Sequence, residues 1–248
     1  MCAIVGYTGG RSALEVLWEG LERLTDREYD AAGVAVVSDG GLATAKKAGP
    51  LERLERELTR RPLPSGSTGV GHIRRGTGES GGDADAHPHL DNAGRVAVVH
   101  NGVIGNHAAL RAELTRRGHA LVSATDTEVV AHLLAESFSS CGDLAEAMRQ
   151  VYGRLDGVFA LAAVGADDPD VLVGAVRGLP LLVGVGDGES FLASDAAALA
   201  GVARSVVEPG DGRVVEVRRD GVSVTDADGA VVEVLPYRAA GVPAAGAP

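Results

Sequence analysis

The residue with the sharpest chemistry in this 248-residue chain is Cys2, directly behind the initiator methionine in MCAIVGYTGG. With Met1 removed, nucleophile and general base share one residue. The freed α-amino group has a reference pKa of about 7.7–8.0 and can accept the thiol proton directly or through a water. On position alone, the same cysteine reads as a small buried hydrophobe at a strand edge, the commoner state of a free cysteine. Three other segments bear on the choice. Attack on an acyl carbon creates an oxyanion that needs preorganised donors. Asn101-Gly102, after RVAVVH, offers a side-chain amide and a backbone N–H, and equally makes a plain strand-ending turn. Arg74 in HIRRGT is a planar fork for a carboxylate, or a solvated arginine. Asp126 in TDTE can pair with an ammonium, or simply favour a helix's first turn. A carboxylate binder, an ammonium binder and a nucleophile at the distal carbonyl together fit a glutamine-like molecule.

These residues need elements to hold them. CAIVGYT is apolar and β-branched enough for a buried strand that fixes Cys2. Ser12-Ala-Leu-Glu15 has the form of a capping box, and Leu14, Leu17, Trp18, Leu21 and Leu24 recur at helical spacing. Strand-like runs follow at 33–37, 70–73 and 95–100, the last ending in Asn101-Gly102. A helix is predicted from about Asn106 to Gly118, another after a capping box at Thr125–Glu128, and one from Asp143. After Gly157 come short apolar runs (VFALAAV, VLVGAV, LPLLVGV, SFLASD, GRVVEV, GVSVT, AVVEVL) with tight turns and a short helix at 196–203. Helices early and strands late predict an α+β fold rather than a βαβ repeat. The Gly-rich stretch 76–85 reads as a lid or a long connection. AAGVPAAGAP reads as a frayed tail.

Bulk composition narrows the function classes. A hydrophobic content of 45% fills a core, so disorder is excluded for most of the chain. A net charge of −11 argues against a nucleic-acid footprint. No apolar run approaches the length of a membrane span and no signal peptide precedes Cys2, so a cytoplasmic protein is expected. Cys2 and Cys141 make no disulfide framework, and no Cys/His spacing resembles a zinc site; neither a metal nor a cofactor is expected.

The ordered segments MCAIVGYTGGRSALEVLWEGLERL, REYDAAGVAVV, HIRRGT, DAHPH, VVHNGVIGNHAALRAEL, SATDTEVVAHL, RGLPLLVGVGDGESFLASD and EPGDGRVVEV resemble one family. It is the class II, N-terminal-nucleophile glutamine amidotransferases, in particular the glutaminase domain of glucosamine-6-phosphate synthase. The resemblance implies a four-layer αββα sandwich over residues 2–236, with 237–248 as a flexible tail. It implies hydrolysis of L-glutamine to glutamate and ammonia through a γ-glutamyl thioester on Cys2. It also places Asn101 and Gly102 in the oxyanion hole, Arg74 on the substrate carboxylate and Asp126 on the substrate amino group. By resemblance alone, Thr77 and His87 belong to the glutamine-site segment and Arg27 lies near the nucleophile. The implied partner is an ammonia-accepting synthase, expected as a separate protein related to sugar-phosphate isomerases.

The sequence also departs from the family. Ala3 follows the cysteine where the family has Gly, REYDAAG replaces RGYDSAG, and Asp85 stands for Asn. Arg75 takes the place of a tryptophan that, in the family, helps gate ammonia passage. The glutamine grip is therefore intact while the lid and exit side are altered. Two other readings stay open: an N-terminal-nucleophile amidohydrolase or acyltransferase for another amide, and a catalytically silent regulatory module. Retention of Arg74 and Asp126 speaks against the first, and of Cys2, Asn101 and Gly102 against the second.

Overall fold

The computed structural model of the chain describes residues 2–25, 29–39, 41–75 and 82–238. The apolar run behind Cys2 becomes β1 (Ala3–Thr8), buried along its whole length. Ser12 Oγ accepts the Glu15 N–H at 3.5 Å, as the capping box predicts, and opens α1 (Ala13–Glu22). β2 (Ala31–Ser38), β3 (Gly41–Ala48), α2 (Leu51–Arg60) and β4 (Thr68–Arg74) follow. Neither β3 nor α2 is among the elements read from the sequence. In α2 the leucines at 51, 54 and 58 mark one helix face within a strongly charged segment, and Leu51 and Leu54 are buried.

β5 (His89–Leu90) and β6 (Val96–Ile104) lead to α3 (His107–Arg116), α4 (Thr127–Cys141) and α5 (Leu144–Tyr152). The second half supplies β7 (Gly157–Gly165), β8 (Asp168–Arg177), β9 (Leu182–Val185), β10 (Ser190–Ala193), β11 (Ser205–Val207), β12 (Arg213–Arg218), β13 (Gly221–Asp226) and β14 (Tyr237–Arg238). These strands form two antiparallel sheets. One runs β14-β11-β9-β10-β1-β4-β2-β3 and the other β13-β12-β8-β7-β6-β5.

Strand alternation sorts side chains into three apolar layers. Val5, Tyr7 and Ile73 pack with Leu17 and Leu21 of α1 and Leu54 of α2. Ile4 and Val70 face Ala97 and Val99 of the opposite sheet. Val96 and Val98 point the other way, against Leu134 of α4 and Met148 of α5. The order helix, sheet, sheet, helix is the expected four-layer αββα sandwich. Among the described residues, no helix is long and apolar enough to cross a membrane.

Several local expectations need correction. β6 does not stop at a turn: it runs through Asn101 and Gly102 to Ile104, paired with β7 throughout. Thr125–Glu128 is not a capping box. Asp126 is the N-cap of α4 and makes no side-chain cap bond, because its Oδ2 accepts the Ile104 N–H at 2.7 Å instead. Residues 196–199 form a single 3-10 turn, not a helix to 203. AVVEVL makes one bridge, Thr225 to Val231, and no strand. Tyr237 and Arg238, beyond the expected boundary at 236, pair with β11, whereas 239–248 lie outside the described residues.

Candidate active site

β1 and β4 set the surroundings of the nucleophile. Their register places Ala3 opposite Ile73, so Cys2 meets the residues that end β4. Cys2 is half-buried, and its Sγ accepts the Arg75 backbone N–H at 3.3 Å. β6 arrives from the other sheet. Asn101 Nδ2 donates to the Cys2 carbonyl at 3.0 Å, and Asn101 Oδ1 lies 3.0 Å from His72 Nε2. One side chain thus ties the two sheets together at Cys2. An amide nitrogen carries two hydrogens, so Asn101 keeps one donor beyond the bond to Cys2.

Cys2, Asn101 and Gly102 border one cavity of about 270 Å3, together with Arg23, Tyr29, Arg75 and Leu179. Ala3 also borders it, so the methyl group that marks a departure from the family sits beside the nucleophile. Gly102 has φ +116°, and a Cβ there would lie 2.0 Å from the Val158 carbonyl oxygen. No side chain fits at this point of β6.

Arg74 and Asp126 do not line that cavity. Arg74 shares the inward face of β4 with His72, two residues away, and is fixed by Asp30 and Asp85: Nε donates to Asp30 Oδ1 and Nη1 to the Asp85 carbonyl, each at 3.1 Å. Its buried Nη2 has no partner among the described residues. Asp126 is anchored to the end of β6 through Ile104, three residues past Asn101. Burial works to raise the Asp126 carboxyl, but the His100 imidazole and the Ile104 N–H outweigh it and hold the group below the usual carboxylate range. The Asp85 segment connects the two: its carbonyl binds Arg74, and its Oδ1 accepts the Ala124 N–H at 2.9 Å.

His87 is buried and its ring nitrogens are both occupied. Nδ1 accepts the His100 N–H at 3.3 Å, which leaves Nε2–H to donate to Thr127 Oγ1 at 3.1 Å. The structure therefore puts His87 in a supporting cluster rather than on the cavity wall. Thr77 and Arg27 lie outside the described residues, as does the stretch 76–81 of the expected lid. Sequence reasoning passed over Asp30 and His72. Both stand inside motifs quoted for other residues, and strand alternation alone puts His72 on the face of Arg74. Among the described residues, no group of three His, Cys, Asp or Glu side chains is arranged to hold a metal ion.

A model of a glutamine amidotransferase domain matches residues 78–201, half of the chain. The glutamine–fructose-6-phosphate aminotransferase (isomerizing) of Streptomyces coelicolor is 63% identical over 237 residues, which is 96% of this chain and 38% of that protein. Its counterpart in Leifsonia xyli is 48% identical over 238 residues, 96% of this chain and 39% of that one. The chain therefore spans under two fifths of the length of these relatives. Among solved structures, the allosteric regulatory enzyme of purine biosynthesis superposes with a TM-score of 0.78 at 24% identity, over 91% of this chain and 49% of that one. Glutamine phosphoribosylpyrophosphate amidotransferase from B. subtilis gives 0.75 at 24% identity, with the same coverage. Those two likenesses establish the fold. The chain belongs to the glutamine amidotransferase domain family, in its class II, N-terminal-nucleophile branch.

Proposed function

We propose that this domain hydrolyses L-glutamine and supplies the ammonia to an ammonia-accepting synthase. After removal of Met1, the α-amino group of Cys2 takes the thiol proton and Sγ attacks the side-chain amide carbon. Asn101 Nδ2–H and the Gly102 N–H stabilise the oxyanion. The C–N bond then breaks with the proton returned to nitrogen, releasing ammonia and leaving a γ-glutamyl thioester. Water attacks the thioester, glutamate departs and the thiol is restored. Arg74 holds the substrate carboxylate through Nη2, which has no partner among the described residues, and Asp126 holds the ammonium. Arg27 and Thr77 complete the site in this reading.

The observation that carries the reading is the meeting of Cys2, Asn101 and Gly102 on one cavity, with the Asn101 amide bonded at the nucleophile's own carbonyl. The names of the relatives support a synthase related to sugar-phosphate isomerases as the acceptor. Intact-mass spectrometry after exposure to a diazo-ketone analogue of glutamine tests the chemistry. Loss of Met1 and one adduct, absent in Cys2→Ala, are expected. A processed terminus that stays unlabelled would refute the armed nucleophile.

A further inference from the structure

We infer that His72 is a positioning residue for the Asn101 amide, holding its nitrogen toward Cys2 by donating Nε2–H to Asn101 Oδ1. The inference rests on the proposed role of Asn101 as an oxyanion donor. Its geometry stands apart from that role.

An asparagine amide in a buried site can rotate by half a turn and exchange its donor for its acceptor. Here the exchange would put Oδ1 against the Cys2 carbonyl, two acceptors in contact, and would turn the donor away from the nucleophile. The Cys2 carbonyl favours the productive orientation, since it accepts Nδ2–H at 3.0 Å. It cannot fix the other end of the amide. That end meets His72 Nε2 at 3.0 Å, and an amide oxygen only accepts, so the hydrogen is on Nε2. His72 Nδ1 is buried and has no partner among the described residues. This agrees with the same tautomer, since a bare lone pair on Nδ1 leaves no N–H unsatisfied there. His72 is 1% exposed, so its side of the bond is shielded from bulk solvent.

The imidazole is itself held in place. The His87 ring lies against it with centroids 4.3 Å apart, and both His87 nitrogens are tied down by His100 and Thr127. Thr127 is the first residue of α4, next to Asp126. The buried histidines therefore join the Asp126 end of the site to the Asn101 amide. This gives His87 a use that does not require it to touch substrate.

The test compares His72→Gln with His72→Asn in the full chain. A glutamine amide N–H can stand where Nε2–H stood, whereas asparagine is too short to reach Asn101. His72→Asn is expected to lower kcat for glutamine by about 10- to 100-fold, approaching the loss of an oxyanion donor, with KM changed less than about threefold. His72→Gln should restore most of that loss. In an Asn101→Ala background the two variants should differ by less than about twofold, because the group being positioned is gone. Equal kcat for the two single variants, or an unchanged gap between them in Asn101→Ala, would overturn the inference. The Asn101 side-chain N–H pair, followed by NMR in asparagine-labelled protein, gives a readout independent of turnover. It should keep its wild-type shifts in His72→Gln and move in His72→Asn. If the wild-type domain neither turns over glutamine nor takes up the diazo-ketone label, the proposed function fails and this NMR comparison alone decides the role of His72.

Discussion

At the scale of single residues, the site works through backbone and amide geometry more than through charge. Gly102 is the plainest case. Gly102→Ala would drive a methyl group toward the Val158 carbonyl and force a left-handed φ on alanine. A loss of about 1–3 kcal/mol is expected in denaturant melts, with glutaminase activity falling at least tenfold. Arg74 makes a different prediction. Its fork already serves Asp30 and the Asp85 carbonyl and still has Nη2 to offer. A lysine keeps the charge but cannot span these partners, so Arg74→Lys should raise the KM for glutamine by about tenfold or more with a smaller change in kcat. Steady-state kinetics check it; an unchanged KM would remove Arg74 from the substrate carboxylate. The chemistry open to these residues was legible in their types and order. The buried partners were not, because alternation puts His72 on the face of Arg74 without showing that this face meets Asn101 of the second sheet.

At the scale of elements, the start of α4 shows how a motif can be used for a purpose its form does not announce. Thr125-Asp-Thr-Glu128 has the spacing of a capping box, yet Glu128 folds back on the preceding loop. Its oxygens accept the N–H groups of Val122 and Ser123 and the Ser123 hydroxyl, all at 2.8 Å. Asp126, freed from capping, clasps the end of β6. Glu128→Ala takes the acceptor from the buried Ser123 N–H and from the part-buried Val122 N–H, while the Ser123 hydroxyl keeps Thr125 Oγ1 as a partner, and should cost about 1–3 kcal/mol of stability, seen as a lower thermal midpoint. Asp126→Asn keeps the size of the side chain and should mainly raise the KM for glutamine. Equal effects of the two changes on stability and KM would contradict this division of labour. β6 itself was misread at Asn101-Gly102 because a turn-prone pair and a strand crossing a tight contact share the same two letters.

At the scale of the whole molecule, two sheets enclose a cluster of neutral histidines. Burial first of all pushes His72 and His89 down to about 3, and pushes His87 well below its ordinary value. In the unfolded chain all three take up protons below about pH 6.5. The unfolded state then binds more protons than the folded one, so stability falls as the pH drops from about 6.5 toward 3. Each proton excluded from the fold contributes a slope of about 1.4 kcal/mol per pH unit, and above about pH 6.5 the penalty vanishes. Urea midpoints measured from about pH 7 down to 4.5 should decline steeply. His89→Gln keeps a polar group near Thr125 and should make that decline shallower by about one proton. A slope equal to wild type would show that His89 does not hold out against protonation.

The sequence by itself determined the α+β class, the strand that seats Cys2, the capping of α1 and which side chains are candidates for the chemistry. Those depend on local apolar spacing and on what each side chain can do chemically. Only the tertiary structure decided that Asn101 reaches from one sheet to the Cys2 carbonyl on the other, that His72 grips its far side, and that His87 supports the cluster from within. The two Asn101 bonds join residues 29 and 99 positions apart, and the His87 ring packs on His72 from another strand's flank. Contact at such separations is set by sheet register and by which face of a strand meets the second sheet, and neither is encoded in any local pattern.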